Sequence, residues 1–142
     1  MQDKKTNENK GNILVVDDEY SIRELLRKFL SLQGYEVETA NDGVDALEKV
    51  FHSLPNLIIL DIMMPGMDGL EVCKKLRQNE RTKSIPILII TGLFSQDIIR
   101  QAIEFNVVDV LNKPFSLYKL LDTVQNVLDQ SLNRPIIKEL VW

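Results

Sequence analysis

The sequence predicts an α/β protein with a three-layer, doubly wound (βα)5 fold and a five-stranded parallel sheet in the order 2-1-3-4-5. Three apolar runs, at residues 13–16, 57–60 and 87–90, are short, unbroken and rich in β-branched residues. Such runs are typical of strands that are buried on both faces in a parallel sheet. Helical patterns separate them, which implies right-handed crossovers and helices on both sides of the sheet. The order 2-1-3-4-5 places strands one and three side by side.

The first half of the chain alternates between strand and helix. After the first run, apolar residues at helical spacing predict a helix that ends near Gly34. Its predicted inner stripe consists of Ile22, Leu25, Leu26, Phe29 and Leu30. Residues 36–40 form the second predicted strand, and Asp42 is expected to cap a helix over residues 44–51. The inward residues of that helix are Leu47, Val50 and Phe51.

The second half repeats this alternation. A helix is predicted over residues 69–78 after the third strand, and Pro86 opens the fourth strand, where a missing N–H does little harm. A helix over residues 96–105 and a weaker strand over residues 107–111 follow. Ser116 then caps the last helix, whose apolar stripe consists of Leu117, Leu120, Leu121, Val124 and Leu128.

The length of 142 residues fits one domain, expected over residues 11–131. Residues 1–10 form a polar N-terminal tail, and residues 132–142 are expected to be a C-terminal tail or the start of a linker. The 17 basic residues are outnumbered by 21 acidic ones, giving a net charge of −4, so direct nucleic-acid binding is not expected. A single cysteine and the lack of a long apolar run predict a cytoplasmic protein without membrane contact.

Oxygen-bearing side chains follow each of the three apolar runs. Asp17 and Asp18 come after the first run, Asp61 after the second and Thr91 after the third. Ligands of open parallel sheets bind outside the carboxyl ends of the strands, so these four residues are expected to converge there. Three neighbouring carboxylates repel one another, and Mg²⁺, which prefers oxygen ligands, is the cation that best relieves that repulsion.

Four motifs in order resemble the receiver domain of two-component response regulators, which belongs to the CheY-like superfamily. They are Val-Val-Asp-Asp-Glu at 15–19, Asp-Ile-Met-Met-Pro-Gly-Met-Asp-Gly at 61–69, Thr-Gly at 91–92 and Lys-Pro-Phe at 113–115. The resemblance covers residues 11–131 and implies a flavodoxin-like fold. Four motifs that agree in order and spacing are far more specific than any one of them.

The resemblance implies a role for each matching residue. Asp61 would be the phosphoacceptor, and Thr91 and Lys113 would contact the phosphoryl oxygens. The implied Mg²⁺ ligands are Asp18, Asp61 and the backbone carbonyl of Met63, with Asp17 holding the ion through water. A carboxylate is a suitable nucleophile for forming an aspartyl phosphate. The Lys113–Pro114 peptide is expected to be cis, as is typical of the family.

The implied function is a signalling switch and not an enzyme with an independent substrate. It would take a phosphoryl group from a sensor histidine kinase or histidine phosphotransfer protein and then change its binding to a downstream protein, as a monomer or weak dimer. One alternative is a Mg²⁺-dependent phosphatase of the haloacid dehalogenase type, whose motif needs an acid where Met63 stands. The other is an interaction module that has lost the switch, which the retained site residues argue against.

Five further residues, in the core, on the surface and around the site, also allow predictions. Cys73 is expected to pack in the core and His52 to lie on the surface, so neither is a candidate catalyst. Met63 stands two residues after Asp61, and Leu93 two residues after Thr91. Neither side chain can hydrogen-bond a hydrolytic water well, which predicts a long-lived phosphorylated state. Val110 replaces the aromatic residue that is common in the family, so no large ring can move there.

Overall fold

Five parallel strands and five helices alternate in the structure, a computed structural model that describes residues 9–141, with side chains described from 9 to 129. The strands are β1 (Asn12–Val16), β2 (Glu36–Ala40), β3 (Leu57–Asp61), β4 (Ile87–Thr91) and β5 (Asp109–Asn112). The helices are α1 (Tyr20–Leu32), α2 (Gly43–Ser53), α3 (Gly69–Arg77), α4 (Gln96–Glu104) and α5 (Leu117–Val141). The sheet order is β2-β1-β3-β4-β5, so the predicted fold class and strand order are confirmed.

The core consists of two apolar layers, one on each face of the sheet. On one face, strand residues pack against α2, α3 and α4, through side chains such as Val50, Val72 and Ala102. On the other face, Leu26 of α1 and Val124 of α5 pack against the sheet. All residues of β3 and β4 are buried, because both strands lie between neighbours and have a helical layer on each side.

Side-chain caps start several helices where the sequence indicates them. Asp42 accepts a hydrogen bond from the backbone N–H of Asp45 at 2.8 Å, which confirms it as the cap of α2. Ser116 accepts from the N–H of Tyr118 at 3.1 Å and from that of Lys119 at 3.2 Å, as predicted for α5. These bonds satisfy N–H groups that have no partner within the helix.

Two local predictions are wrong. Leu25 was assigned to the inner stripe of α1 but is 43% exposed, because Leu26 and Leu30 occupy the side of α1 that meets the sheet. The last strand starts at Asp109, two residues later than predicted. Asn106 has a φ of +55° and the N–H of Val107 bonds to the Ala102 carbonyl at 3.2 Å, so these residues still belong to the turn that ends α4.

The two tails predicted at the ends of the chain, residues 1–10 and 132–142, differ in how much of each the structure describes. Residues 1–8 of the predicted polar tail lie outside the described residues. At the other end, α5 continues through the predicted boundary at residue 131. Within the part of the chain that is described, no helix is both long enough and apolar enough to cross a membrane.

Candidate functional site

Adjacent strands bring the predicted site residues to one edge of the sheet. Val16 at the end of β1 pairs with Leu60 of β3, so the residues that follow them, Asp17 and Asp61, are neighbours. Asp61 in turn pairs with Ile90 of β4, and Thr91 ends that strand. The convergence predicted from the three apolar runs therefore follows directly from the register of the parallel strands.

Three carboxylates form one cluster at this edge. One carboxylate oxygen from each of Asp17, Asp18 and Asp61 lies within 4.8 Å of the others. Asp17 and Asp61 are buried, whereas Asp18 is exposed to solvent. Two buried acids and one exposed acid provide oxygen donors with an open side, and this donor set suits a hard divalent cation that keeps part of its water shell.

Lys113 supplies the cation that contacts this cluster. Its Nζ lies 2.9 Å from Oδ2 of Asp17 and 3.4 Å from Oδ2 of Asp61. A third carboxylate, that of Glu19, has Oε1 at 3.3 Å. The ammonium therefore bridges two loops that are about a hundred residues apart in sequence.

The backbone after β5 places Lys113 at this position. The N–H of Lys113 donates to the carbonyl of Thr91 at 2.8 Å, which fixes the start of the loop against the end of β4. The Lys113–Pro114 peptide is cis, as predicted. The lysine side chain is 19% exposed, so it lies partly covered between the two loops.

The surroundings of the site shift the pKa values of Asp61 and Lys113. Burial, with the neighbouring charge of Asp17, raises the pKa of Asp61 to about 6, although Lys113 opposes that rise. Burial alone would lower the pKa of Lys113, but its hydrogen bond to Asp17 and the charges of Asp17 and Asp61 raise that pKa above the usual value. Lys113 is therefore protonated at neutral pH, and the ionised form of Asp61 is energetically costly without a further cation.

Thr91 is buried at the end of β4, beside the strand that carries Asp61. Its Oγ1 accepts a hydrogen bond from the N–H of Leu93 at 2.9 Å. This bond uses a lone pair of the oxygen and not the hydroxyl hydrogen, which stays chemically able to donate. The hydrogen bond from Leu93 thus fixes the position of the Thr91 hydroxyl oxygen.

The loop after Asp61 packs closely against α3. The backbone N–H of Met63 donates to Oδ1 of Asp61 at 3.3 Å, and the N–H of Gly69 donates to the Ile62 carbonyl at 2.9 Å. A Cβ atom on Gly69 would collide with the carbonyl oxygen of Asp61. Gly69 therefore permits the close approach that fixes this loop.

Two residues of the site were missed by sequence reasoning. Gly69 was interpreted only as a helix start, and a glycine before an apolar stripe gave no sign of the close approach of its backbone to Asp61. Glu19 was quoted within the first motif but was given no role, since nothing local places it beside Lys113. Cys73 and His52, which were not expected to be catalytic, lie where the sequence predicts. Cys73 is buried, which raises the pKa of its thiol to about 12, and His52 is exposed.

Comparisons with known proteins agree on one family. The model of the response regulator receiver domain matches residues 13–125. Response regulator MprA of Mycobacterium leprae is 45% identical over 116 residues, covering 82% of this chain and 50% of that protein. The chain thus spans about half the length of the curated relatives it matches.

Solved structures give the same result. The chemotaxis protein CheY4 of Vibrio cholerae is 39% identical with a TM-score of 0.78, covering 82% of this chain and 98% of that one. A two-component response regulator from Clostridium difficile is 28% identical with a TM-score of 0.80, covering 86% and 98% of the two chains. Sequence, fold and the acidic edge of the sheet therefore lead to the same conclusion: the chain belongs to the response regulator receiver domain family of two-component systems.

Proposed function

We propose that Asp61 accepts a phosphoryl group from a sensor histidine kinase or a histidine phosphotransfer protein, and that this changes the binding of a downstream protein. The observation that carries the proposal is the position of the Asp61 carboxylate, which is buried beside two other acids and 3.4 Å from the ammonium of Lys113. A nucleophilic carboxylate next to a fixed cation is suited to phosphoryl transfer.

The donor set of the cluster fits Mg²⁺. Asp18 and Asp61 would hold the ion directly with the backbone carbonyl of Met63, and Asp17 would hold it through water. When bound, the ion supplies positive charge that neutralises the carboxylates and the transferred group. The raised pKa of Asp61 supports this assignment, because a carboxylate cluster with that repulsion is one that gains from a cation.

The side chains of the site have distinct roles in the proposed transfer. A carboxylate oxygen of Asp61 forms the new bond to phosphorus while the bond from phosphorus to the histidine nitrogen breaks, and that nitrogen keeps the electron pair. The ammonium of Lys113 and the hydroxyl of Thr91 would donate to the phosphoryl oxygens, whose charge must be balanced in the transition state. For this, Lys113 turns from its present carboxylate partners toward the phosphoryl group.

The two alternative functions receive less support. A phosphatase of the haloacid dehalogenase type needs an acid two residues after the nucleophile, and here that position is Met63, which is 53% exposed. An interaction module that has lost the switch has no use for a mutually repelling acid cluster in which two of the three carboxylates are buried, since each buried charge costs stability.

A small phosphodonor tests the proposal directly. The full chain is incubated with acetyl phosphate and Mg²⁺, and intact mass spectrometry then measures the addition of one phosphoryl group. Asp61→Asn should abolish the mass gain, whereas Asp122→Asn, the same change at an exposed position on α5, should keep it. Equal labelling of the Asp61→Asn variant, or catalytic turnover of the donor without any stable mass gain, would contradict the proposal.

The partners remain part of the proposal. Membership of this family supports a histidine-containing donor and a protein target. We also propose that these 142 residues make no direct contact with nucleic acid. The chain spans about half the length of its curated relatives, so this proposal concerns these residues alone.

A further inference from the structure

Glu19 is the charged side chain at the site that the proposed reaction does not use. It occupies the N-cap position of α1 with extended backbone, but its side chain makes no capping bond. Its backbone N–H donates to Oδ1 of Asp17 at 2.9 Å, so the residue is fixed against the acid cluster. Its carboxylate lies beside Lys113 instead, with Oε1 3.3 Å from Nζ.

The side chain of Glu19 is 60% exposed, whereas those of Asp17 and Asp61 are almost fully buried. It is therefore the most exposed of the three carboxylates that contact the ammonium of Lys113, and a phosphodonor that reaches Lys113 from solvent would come close to it. The other nearby cation, Arg23, donates to the backbone carbonyl of Asp17 at 2.8 Å. Among the described side chains, Lys113 is thus the one cation paired with these carboxylates, and Glu19 keeps a negative charge at the mouth of the site.

We propose that Glu19 selects phosphodonors by charge, disfavouring dianionic acyl phosphates relative to donors with a protonated nitrogen on phosphorus. The inference rests on the proposed function and adds a specificity residue to it. Two physical effects support it. An exposed carboxylate repels an approaching dianion, and it competes with the phosphoryl oxygens for the ammonium of Lys113. It also attracts a cationic nitrogen, so it does not disfavour the second class of donor.

Two small phosphodonors differ in net charge and in whether they carry a protonated nitrogen. Acetyl phosphate is a dianion at neutral pH, and acetate leaves as its phosphorus–oxygen bond breaks. Phosphoramidate carries a protonated nitrogen and a single net negative charge, and ammonia leaves as its phosphorus–nitrogen bond breaks. In both reactions Asp61 forms the new bond to phosphorus. The ratio of the two labelling rates therefore reports charge selection and cancels effects that are common to both donors.

The test compares Glu19→Gln with the parent chain at saturating Mg²⁺. Glu19→Gln should raise the labelling rate by acetyl phosphate about three- to tenfold, from the Coulomb energy of one charge near a dianion in water-exposed surroundings. The rate with phosphoramidate should not rise. The change in the ratio should shrink as salt is added, since salt screens exposed charges.

Two variants separate charge from other effects. Glu19→Asp keeps the negative charge on a shorter side chain and should retain most of the discrimination. Glu36→Gln removes the same charge at the start of β2, at the opposite edge of the sheet, and should leave the ratio unchanged. If Glu19→Asp behaves like Glu19→Gln, or Glu36→Gln shifts the ratio equally, charge selection by Glu19 is wrong.

A measurement that involves no phosphoryl transfer completes the test. Calorimetric titration of the unphosphorylated chain should show Mg²⁺ binding about two- to tenfold weaker in Glu19→Gln, because one nearby negative charge is gone. A parent chain that takes no label from either donor would refute the proposed function. A parent chain that is labelled, with an unchanged rate ratio in Glu19→Gln, would refute only the selection by Glu19.

Discussion

Replacing the proposed phosphoacceptor by its amide should stabilise the metal-free protein. Asp61 is buried beside Asp17, and its pKa rises from 3.8 to about 6. Asp61→Asn removes the charge at nearly constant volume, and with it the cost of holding an ionised acid in that place. The variant should therefore unfold less readily than the parent at neutral pH, although it loses the proposed phosphoacceptor.

The pKa shift gives the size and the pH dependence of this effect. One pKa unit corresponds to about 1.4 kcal/mol, so the shift of Asp61 sets an upper limit of about 3 kcal/mol at pH 7. Because the amide also gives Lys113 a weaker partner, a gain of about 1–3 kcal/mol is expected. The folded state binds the proton more tightly than the unfolded state, so the parent loses stability relative to the variant as pH rises from about 4 to about 6.

Urea unfolding in the presence of a chelator measures the difference. Free energies of unfolding are compared at pH 4 and pH 7 for the parent, Asp61→Asn and the exposed control Asp122→Asn, which should stay within about 0.5 kcal/mol of the parent. Mg²⁺ at ten times its dissociation constant should then stabilise the parent by about 1.4 kcal/mol and the variant by less. Equal or lower stability of Asp61→Asn at pH 7 without Mg²⁺ would refute the electrostatic reasoning.

Three further predictions concern the metal, the loop and the lifetime of the phosphorylated state. Asp18→Ala should weaken Mg²⁺ binding about tenfold or more, because it removes a proposed carboxylate ligand; an unchanged calorimetric titration would exclude Asp18 as a ligand. Gly69→Ala should cost about 1–3 kcal/mol in urea unfolding, because its Cβ meets the Asp61 carbonyl; unaltered stability would show that the loop yields easily. Met63→Glu and Leu93→Asn should each speed loss of the phosphoryl group about threefold or more by orienting a water; decay as slow as in the parent would contradict that role.

Much of the fold could be predicted because parallel strands buried on both faces require unbroken apolar runs. Those runs located β1, β3 and β4, and helical spacing located the intervening helices. Errors arose where the local pattern was ambiguous. Leu25 and Leu26 both fit a helical stripe, and Leu25 is exposed because α1 packs on the sheet through the side that carries Leu26 and Leu30. Val107 looks like a strand residue, but its N–H bonds to the Ala102 carbonyl in the turn after α4, and only the N–H of Val108 reaches Ile87 of β4.

The sequence by itself determined that Asp17, Asp18, Asp61 and Thr91 come to one edge, because strand ends in a parallel sheet share that edge. Only the tertiary structure decided which charged side chains contact one another at that edge. The contact of Lys113 with both Asp17 and Glu19 joins residues more than ninety positions apart. It depends on how the loops after β1 and β5 approach each other, and no local pattern encodes that distance. The same holds for the pKa of Asp61, which burial by the folded chain and the neighbouring acid raise together.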